Sequence, residues 1–97
     1  MKIELAKKEI IHFIGIGGIG MSGLSLIMQG KGFNVQGSDI SNNKNIERLK
    51  KEKIKIFLGH SKKNLKEATI AVISSAIKSN NPELIEAKRK KIPIIKR

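Results

Sequence analysis

Apolar residues gather in five short runs, at residues 10–16 (IIHFIGI), 33–36 (FNVQ), 54–58 (IKIFL), 69–73 (TIAVI) and 92–95 (IPII). Their length and their wealth of Ile and Val predict strands, most of them buried. The intervening segments follow a helical period instead. After a cluster of glycines, Leu24, Ile27 and Met28 stand at i, i+3 and i+4, and Gly30 and Gly32 stop the run. In NKNIERLKKEK, Ile46 and Leu49 lie three apart on an otherwise charged surface, predicting a second helix over one face of a sheet. Ser61 is placed to cap a short turn over KKNLKEA. The clearest start signal comes last: Asn81 as N-cap, Pro82 at the first helical position, Glu83 beside the positive end of the dipole, and the cations of LIEAKRKK at the other end. Strand and helix alternate throughout, so the expected fold is α/β, an open parallel sheet of about five strands with helices on both faces and right-handed crossovers.

The chain has 97 residues, room for one domain with a modest core. IPIIKR ends where the fifth strand would end and nothing follows to cover that part of the sheet, so residues 1–97 read as one domain of a longer protein. Cysteine is absent, which removes disulfides and thiolate metal sites and suits a reducing cytoplasm. MKIELAKKE is too charged for a signal-peptide core, and His12 and Gly15 interrupt the longest apolar run, so neither export nor a membrane partner is expected. Twenty basic against 8 acidic residues give a net charge of +12, which attracts polyanions of any kind. The lysines are scattered, however, from Lys7 and Lys8 through Lys50 and Lys51 to Lys90 and Lys91. With aromatics at 3% and no Trp or Tyr, stacking platforms are missing. Solvated lysine-rich faces account for the charge, and no nucleic-acid partner is expected.

The glycines carry the chemistry. Gly15, Gly17 and Gly20 read G-x-G-x-x-G directly after a strand and directly before a helix, the context that a Rossmann-like dinucleotide fingerprint requires. The first glycine permits the tight turn, the second lets backbone approach a pyrophosphate, and the third lets helix and strand pack closely. Gly18 keeps the loop open, and Ser22 adds a hydroxyl to a helix start whose amides face phosphate. Asp39 ends VQGSD, 19 positions after Gly20, where a carboxylate accepts from ribose. A plain tight turn and a turn-forming aspartate would use the same residue types. Strand, helix and acid together favour a diphosphate site.

Spacing alone leaves the ligand open, since NAD, FAD and nucleotide-sugars all offer ribose and pyrophosphate. Ligands of open α/β sheets lie at the carboxyl ends of the strands, which brings Gly59-His60 and Ser74-Ser75-Ala76 towards the site. His60 would bond or stack on a base, or stand exposed in its loop; Ser74 and Ser75 would line the site or cap a strand end. His12, inside a strand, reads as a satisfied core residue. A cysteine nucleophile, a metal-ligand cluster, a Ser-His-Asp spacing and a G-x-x-x-x-G-K-[ST] loop are all missing from the sequence. The segment is expected to bind and not to react alone.

Together, HFIGIGGIGMSGL, VQGSD, FLGHS, SSAIKSNNPEL and IPIIKR resemble the N-terminal domain of the Mur ligase family, from about residue 10 to the end, and most of all its alanine-adding branch. The Met21-Ser22 ending of the glycine segment and the SSAI and NNPE pair are the most telling parts. The resemblance implies a cytoplasmic ligase of peptidoglycan synthesis whose N-terminal domain binds UDP-N-acetylmuramate, whose central domain binds ATP and Mg2+, and whose C-terminal domain helps bind L-alanine. It implies an acyl phosphate on the lactyl carboxylate, attacked by L-alanine with release of ADP and phosphate. On this sequence it implies that Gly17, Gly18, Ile19, Gly20, Met21 and Ser22 hold the diphosphate through backbone amides and the Ser22 hydroxyl. Asp39 would bind ribose, and His60, Ser75 and Ala76 would lie about the uracil. The ATP loop, the Mg2+ ligands and the alanine site would lie beyond Arg97, leaving no cofactor and no catalytic residue on this segment. The alternative is an NAD-binding domain of a dehydrogenase or redox-sensing regulator, which leaves SSAIKSNNPE unexplained.

Overall fold

The computed structural model describes residues 8–97. Five strands, β1 (Ile10–Ile14), β2 (Asn34–Asp39), β3 (Lys55–Leu58), β4 (Ile70–Ile73) and β5 (Ile94–Lys96), form one sheet in the order β3-β2-β1-β4-β5, every pair parallel. Three helices, α1 (Ile19–Gly30), α2 (Lys44–Lys51) and α3 (Pro82–Arg89), and a 3-10 turn at Lys62–Leu65 fill the crossovers. This is the predicted α/β architecture.

Alternation along the strands sorts side chains to two faces. Ile11 and Phe13 of β1 with Ile70 and Val72 of β4 pack towards α1 and α2, where they join Met21, Ile46 and Leu49 in the larger core. Ile14 and Ile73 meet Leu84 of α3, while Ala71 meets Ala87 and Leu65. The α3 side is also where His12, Gln36, Ser38 and Glu83 are buried.

Several boundaries differ from the apolar runs. β1 ends at Ile14, because Gly15 turns at φ +79° and the chain leaves the sheet. α1 begins at Ile19, ahead of Met21. β2 extends to Asp39 through Gln36, Gly37 and Ser38, residues that carry no apolar signal. Gly37 sits in the ladder because Ile16 covers it: a Cβ there would lie 2.5 Å from Ile16 Cδ1 and 2.8 Å from the Phe13 carbonyl oxygen. β5 starts at Ile94, with the Pro93 carbonyl still accepting from the Ala71 amide.

The sheet order reverses between β1 and β4. From β1 the chain builds outward to β2 and β3; it then returns to the other side of β1 with β4 and continues to β5. The turns after β1 and β4 therefore flank a topological switch point, where open α/β sheets leave a crevice for ligands.

Candidate functional site

Beyond β1 the chain folds into a tight loop held by its neighbours. The amides of Gly15 and Ile16 both donate to the Ser38 carbonyl, at 2.8 and 2.9 Å, and Gly18 donates to the Gly15 carbonyl at 3.2 Å. Gly17 donates its amide to Asp39 Oδ2 at 2.8 Å and accepts from Asn45 Nδ2 at 2.9 Å. A Cβ on Gly17 would lie 2.8 Å from Asp39 Oδ2 and 3.0 Å from Ile46 Cδ1. The second glycine thus makes room for the protein's own carboxylate, and its amide is engaged there instead of facing outward. The other Asp39 oxygen accepts from the Ser41 amide at 3.1 Å.

α1 starts without a side-chain cap: Gly18 is the N-cap and no acidic residue stands in the first turn. The first amides of a helix have no intrahelical acceptor, which leaves those of Ile19, Gly20 and Met21 open at the positive end of the dipole. Ser22 closes the first helical bond to the Gly18 carbonyl at 2.8 Å, and its hydroxyl donates back to the Ile19 carbonyl at 3.1 Å. Ser22 is largely buried, and its hydroxyl proton is committed here to the helix's own backbone. Gly20 leaves space for the Arg97 guanidinium, whose Cζ would lie 2.0 Å from a Cβ.

A cleft of about 560 Å³ opens between the two turns, bordered by Gly15, Gly18 and Met21 on one side, Asp39, Ile40 and His60 on another, and Ser74, Ala76 to Lys78 and Asn80 to Pro82 on the third. Of the sequence-expected residues, Gly18, Met21, Asp39, His60 and Ala76 border this cleft. Gly17, Ile19, Gly20 and Ser22 belong to the loop and helix start beside it. Ser75 borders an adjoining depression with Ile73 and Arg97, which shares Ser74 and Ile77 with this cleft. Ile40, Lys78, Asn80 and Asn81 also line the cleft. Asn81 reads from the sequence as a helix cap, and Ile40, Lys78 and Asn80 carry no individual signal of site chemistry.

Beneath the cleft lies a buried polar cluster centred on Glu83, at 0% exposure. Its Oε1 lies 2.6 Å from both His12 Nε2 and Ser38 Oγ, and its Oε2 accepts from the Ser61 amide at 3.0 Å and from Asn64 Nδ2 at 2.7 Å. Burial by itself would raise the pKa of this carboxyl, but the hydrogen bonds from His12, Ser38 and Asn64 outweigh it and bring the value down to about 2. Gln36 Nε2 donates to the Asn64 carbonyl at 2.9 Å and lies 2.8 Å from His12 Nδ1, so both nitrogens of His12 are satisfied in the core. The cluster joins β1, β2, the loop after β3 and α3 below the mouth of the site. A negative charge near the helix dipole is legible in Glu83; its inward turn is not.

Among the described residues, no helix is long and apolar enough to cross a membrane and no group of three or more His, Asp or Glu is placed to hold a metal. Part of the basic surface is taken up internally: Lys90 Nζ donates to the Leu65 and Lys66 carbonyls, and Arg89 pairs with Glu86.

Residues 10–97 match the family described as "Mur ligase family, catalytic domain". The chain belongs to the Mur ligase family. Among relatives in this family, the UDP-N-acetylmuramate--L-alanine ligase of Pelagibacter ubique is 76% identical over 97 residues, covering 100% of this chain and 21% of the relative. That of Bartonella bacilliformis is 54% identical, again over 100% of this chain and 20% of the relative. The crystal structure of the UDP-N-acetylmuramate-alanine ligase from Thermotoga maritima superposes with a TM-score of 0.86 at 38% identity, covering 90% of this chain and 20% of that one. A Neisseria UDP-N-acetylmuramate:L-alanyl-gamma-D-glutamyl-meso-diaminopimelate ligase gives 0.80 at 30% identity, covering 91% and 28%. The chain spans about a fifth of the length of the curated relatives it matches. Membership of a ligase family sets aside the dehydrogenase alternative.

Proposed function

We propose that residues 1–97 form the UDP-sugar-binding domain of an ADP-forming UDP-N-acetylmuramate:L-alanine ligase acting in peptidoglycan precursor synthesis in the cytoplasm. The observation that carries this reading is a switch-point cleft bordered by an uncapped helix start, in a fold shared by ligases with different acceptors. The Thermotoga and Neisseria proteins are named for different second substrates, alanine in one and a peptide in the other, yet both names begin with UDP-N-acetylmuramate. A domain common to both belongs with the substrate they share.

In this reading the open amides of Ile19, Gly20 and Met21 hold the diphosphate at the positive end of α1, where the absence of a first-turn acid leaves the field uncancelled. Asp39 holds the loop in shape through Gly17 and presents its remaining acceptor capacity to ribose. His60 and Ala76 border the place of the base, and Ser75 stands behind it. The sequence carries no G-x-x-x-x-G-K-[ST] loop for ATP, and among the described residues no group of three or more His, Asp or Glu is placed to hold Mg2+. These cofactors, like L-alanine, are assigned to other parts of a full-length enzyme. The role of this domain is to bind and orient.

Amide chemical-shift titration tests the proposal. UDP-N-acetylmuramate and UDP should move Gly18 to Ser22, Asp39 and Ala76, and NAD should not. Equal movement with NAD would return the cleft to a nicotinamide cofactor. A steep loss of binding with salt for DNA or RNA, with no response to UDP, would favour the polyanion reading.

A further inference from the structure

Four donors converge on the Glu83 carboxylate, two on each oxygen. A carboxylate only accepts and a serine hydroxyl carries one proton. At 2.6 Å, Ser38 gives that proton to Glu83 Oε1. His60 Nδ1 lies 2.9 Å from the same serine oxygen, and towards it Ser38 has only lone pairs to offer. The ring hydrogen therefore sits on Nδ1, which is also 3.5 Å from Glu83 Oε2. A neutral imidazole protonated at Nδ1 keeps its lone pair at Nε2. With Nδ1 turned towards two fully buried residues, Nε2 stands on the ring edge left to the cleft. The His60 side chain is 16% exposed, and no hydrogen bond from a described residue reaches Nε2.

We propose that Glu83, acting through Ser38, fixes His60 as a hydrogen-bond acceptor towards the bound base, so that the cleft selects a pyrimidine that presents a ring N–H and rejects one that presents a bare ring nitrogen. Uracil has such an imide hydrogen at N3; cytosine carries a lone pair there. His60 is then a specificity-determining residue, while Ser38 and Glu83 position it without touching ligand. The inference rests on the nucleotide-binding reading above and sharpens it. Burying Glu83 with four donors has, on this view, a purpose at the site: a fully satisfied acceptor cannot rearrange to let Ser38 turn its proton round.

Long-range proton–nitrogen spectra of the imidazole rings read the tautomer directly. They should be recorded on this chain at about pH 8, where an imidazole is ordinarily neutral. The expected result is a protonated Nδ1 and a bare Nε2 in His60 before any ligand is added. On titration with UDP the Nε2 resonance should move, while N3-methyl-UDP and CDP should leave it in place and bind about tenfold more weakly or worse. A hydrogen on Nε2 in the free protein overturns the inference, as does equal binding of UDP and N3-methyl-UDP. Movement of the glycine amides with UDP while Nε2 stays still overturns the polarity and spares the nucleotide site. Silence of the glycine amides overturns the site itself, and the tautomer, read without ligand, is still decided.

Discussion

The Gly17 amide donates to Asp39 Oδ2 over 2.8 Å, tying the loop that follows the first strand to the tip of the second. Replacing Asp39 with Ala should free that amide and the neighbouring Ser41 amide. A bond to a charged acceptor contributes about 1.5–3 kcal/mol, so a stability loss near 2 kcal/mol is expected. Hydrogen exchange is the sharper check: Gly17 should be protected in the parent and fast in the variant. A Gly17 amide that stays protected would show that something other than Asp39 holds the loop.

The glycines should not respond alike to alanine. At Gly37 a Cβ would meet Ile16 and the Phe13 carbonyl oxygen within 2.8 Å, against backbone that cannot yield. Gly37→Ala should destabilise by about 3 kcal/mol or more, the upper range for overpacking. At Gly20 the obstacle is the Arg97 guanidinium, the free end of a long side chain. Moving it aside is cheap, and alanine gains up to about 1 kcal/mol of helix propensity, so Gly20→Ala should lie within about 1 kcal/mol of the parent. Denaturant unfolding of both variants would check the order, which a generic requirement for glycine would not produce.

Glu83 should dominate acid unfolding. Its folded pKa lies at about 2 against an ordinary 4.5, so the folded state binds its proton less readily than the unfolded chain. The stabilisation is fully present above about pH 5 and is lost progressively as pH falls towards 2. At 1.36 kcal/mol per unit, it is on the order of 3 kcal/mol. In Glu83→Gln the fall in stability between pH 5 and pH 2 should be much shallower, whatever its starting value.

Lys53 and Lys91 follow helices α2 and α3 with φ of +65° and +58°, where a side chain is strained and glycine is the usual residue. Lys53→Gly and Lys91→Gly should each stabilise by about 0.5–1 kcal/mol, the relief of left-handed strain less the entropy of glycine in the unfolded chain. Thermal melts would test this, and a loss at either position would mean that its lysine makes compensating contacts.

Features coded by local rules are legible in the order of residues alone. The strand, glycine loop and helix of residues 10–30 and the Asn81-Pro82 helix start depend on spacing within a few residues, and both stand where expected; Asn81 Oδ1 accepts from the Glu83 and Leu84 amides. Gln36 and Ser38 hide the second half of β2, since a strand whose buried face is polar carries no apolar alternation. Gly17 looks like a ligand contact because sequence cannot tell a glycine that admits phosphate from one that admits a neighbouring carboxylate. Ser22 has the right chemistry at the right element end, but spacing does not reveal that its hydroxyl donates to the Ile19 carbonyl. Glu83 is invisible as a hub because its partners come from positions 12, 38, 61 and 64.

That dispersion has a consequence for how the molecule is made. His12 leaves the ribosome early and Glu83 follows 71 residues later. Until then, the face of β1 and β2 that carries His12 and Ser38 has polar groups but no carboxylate to receive them, and closing so long a loop must precede any gain from the contact. The part of the α1 and α2 core built from Ile11, Phe13, Met21, Ile46 and Leu49 comes from nearer neighbours and can condense during synthesis, whereas the floor of the cleft becomes dry only once α3 is in place. A nascent chain therefore acquires its glycine loop well before it acquires a finished pocket.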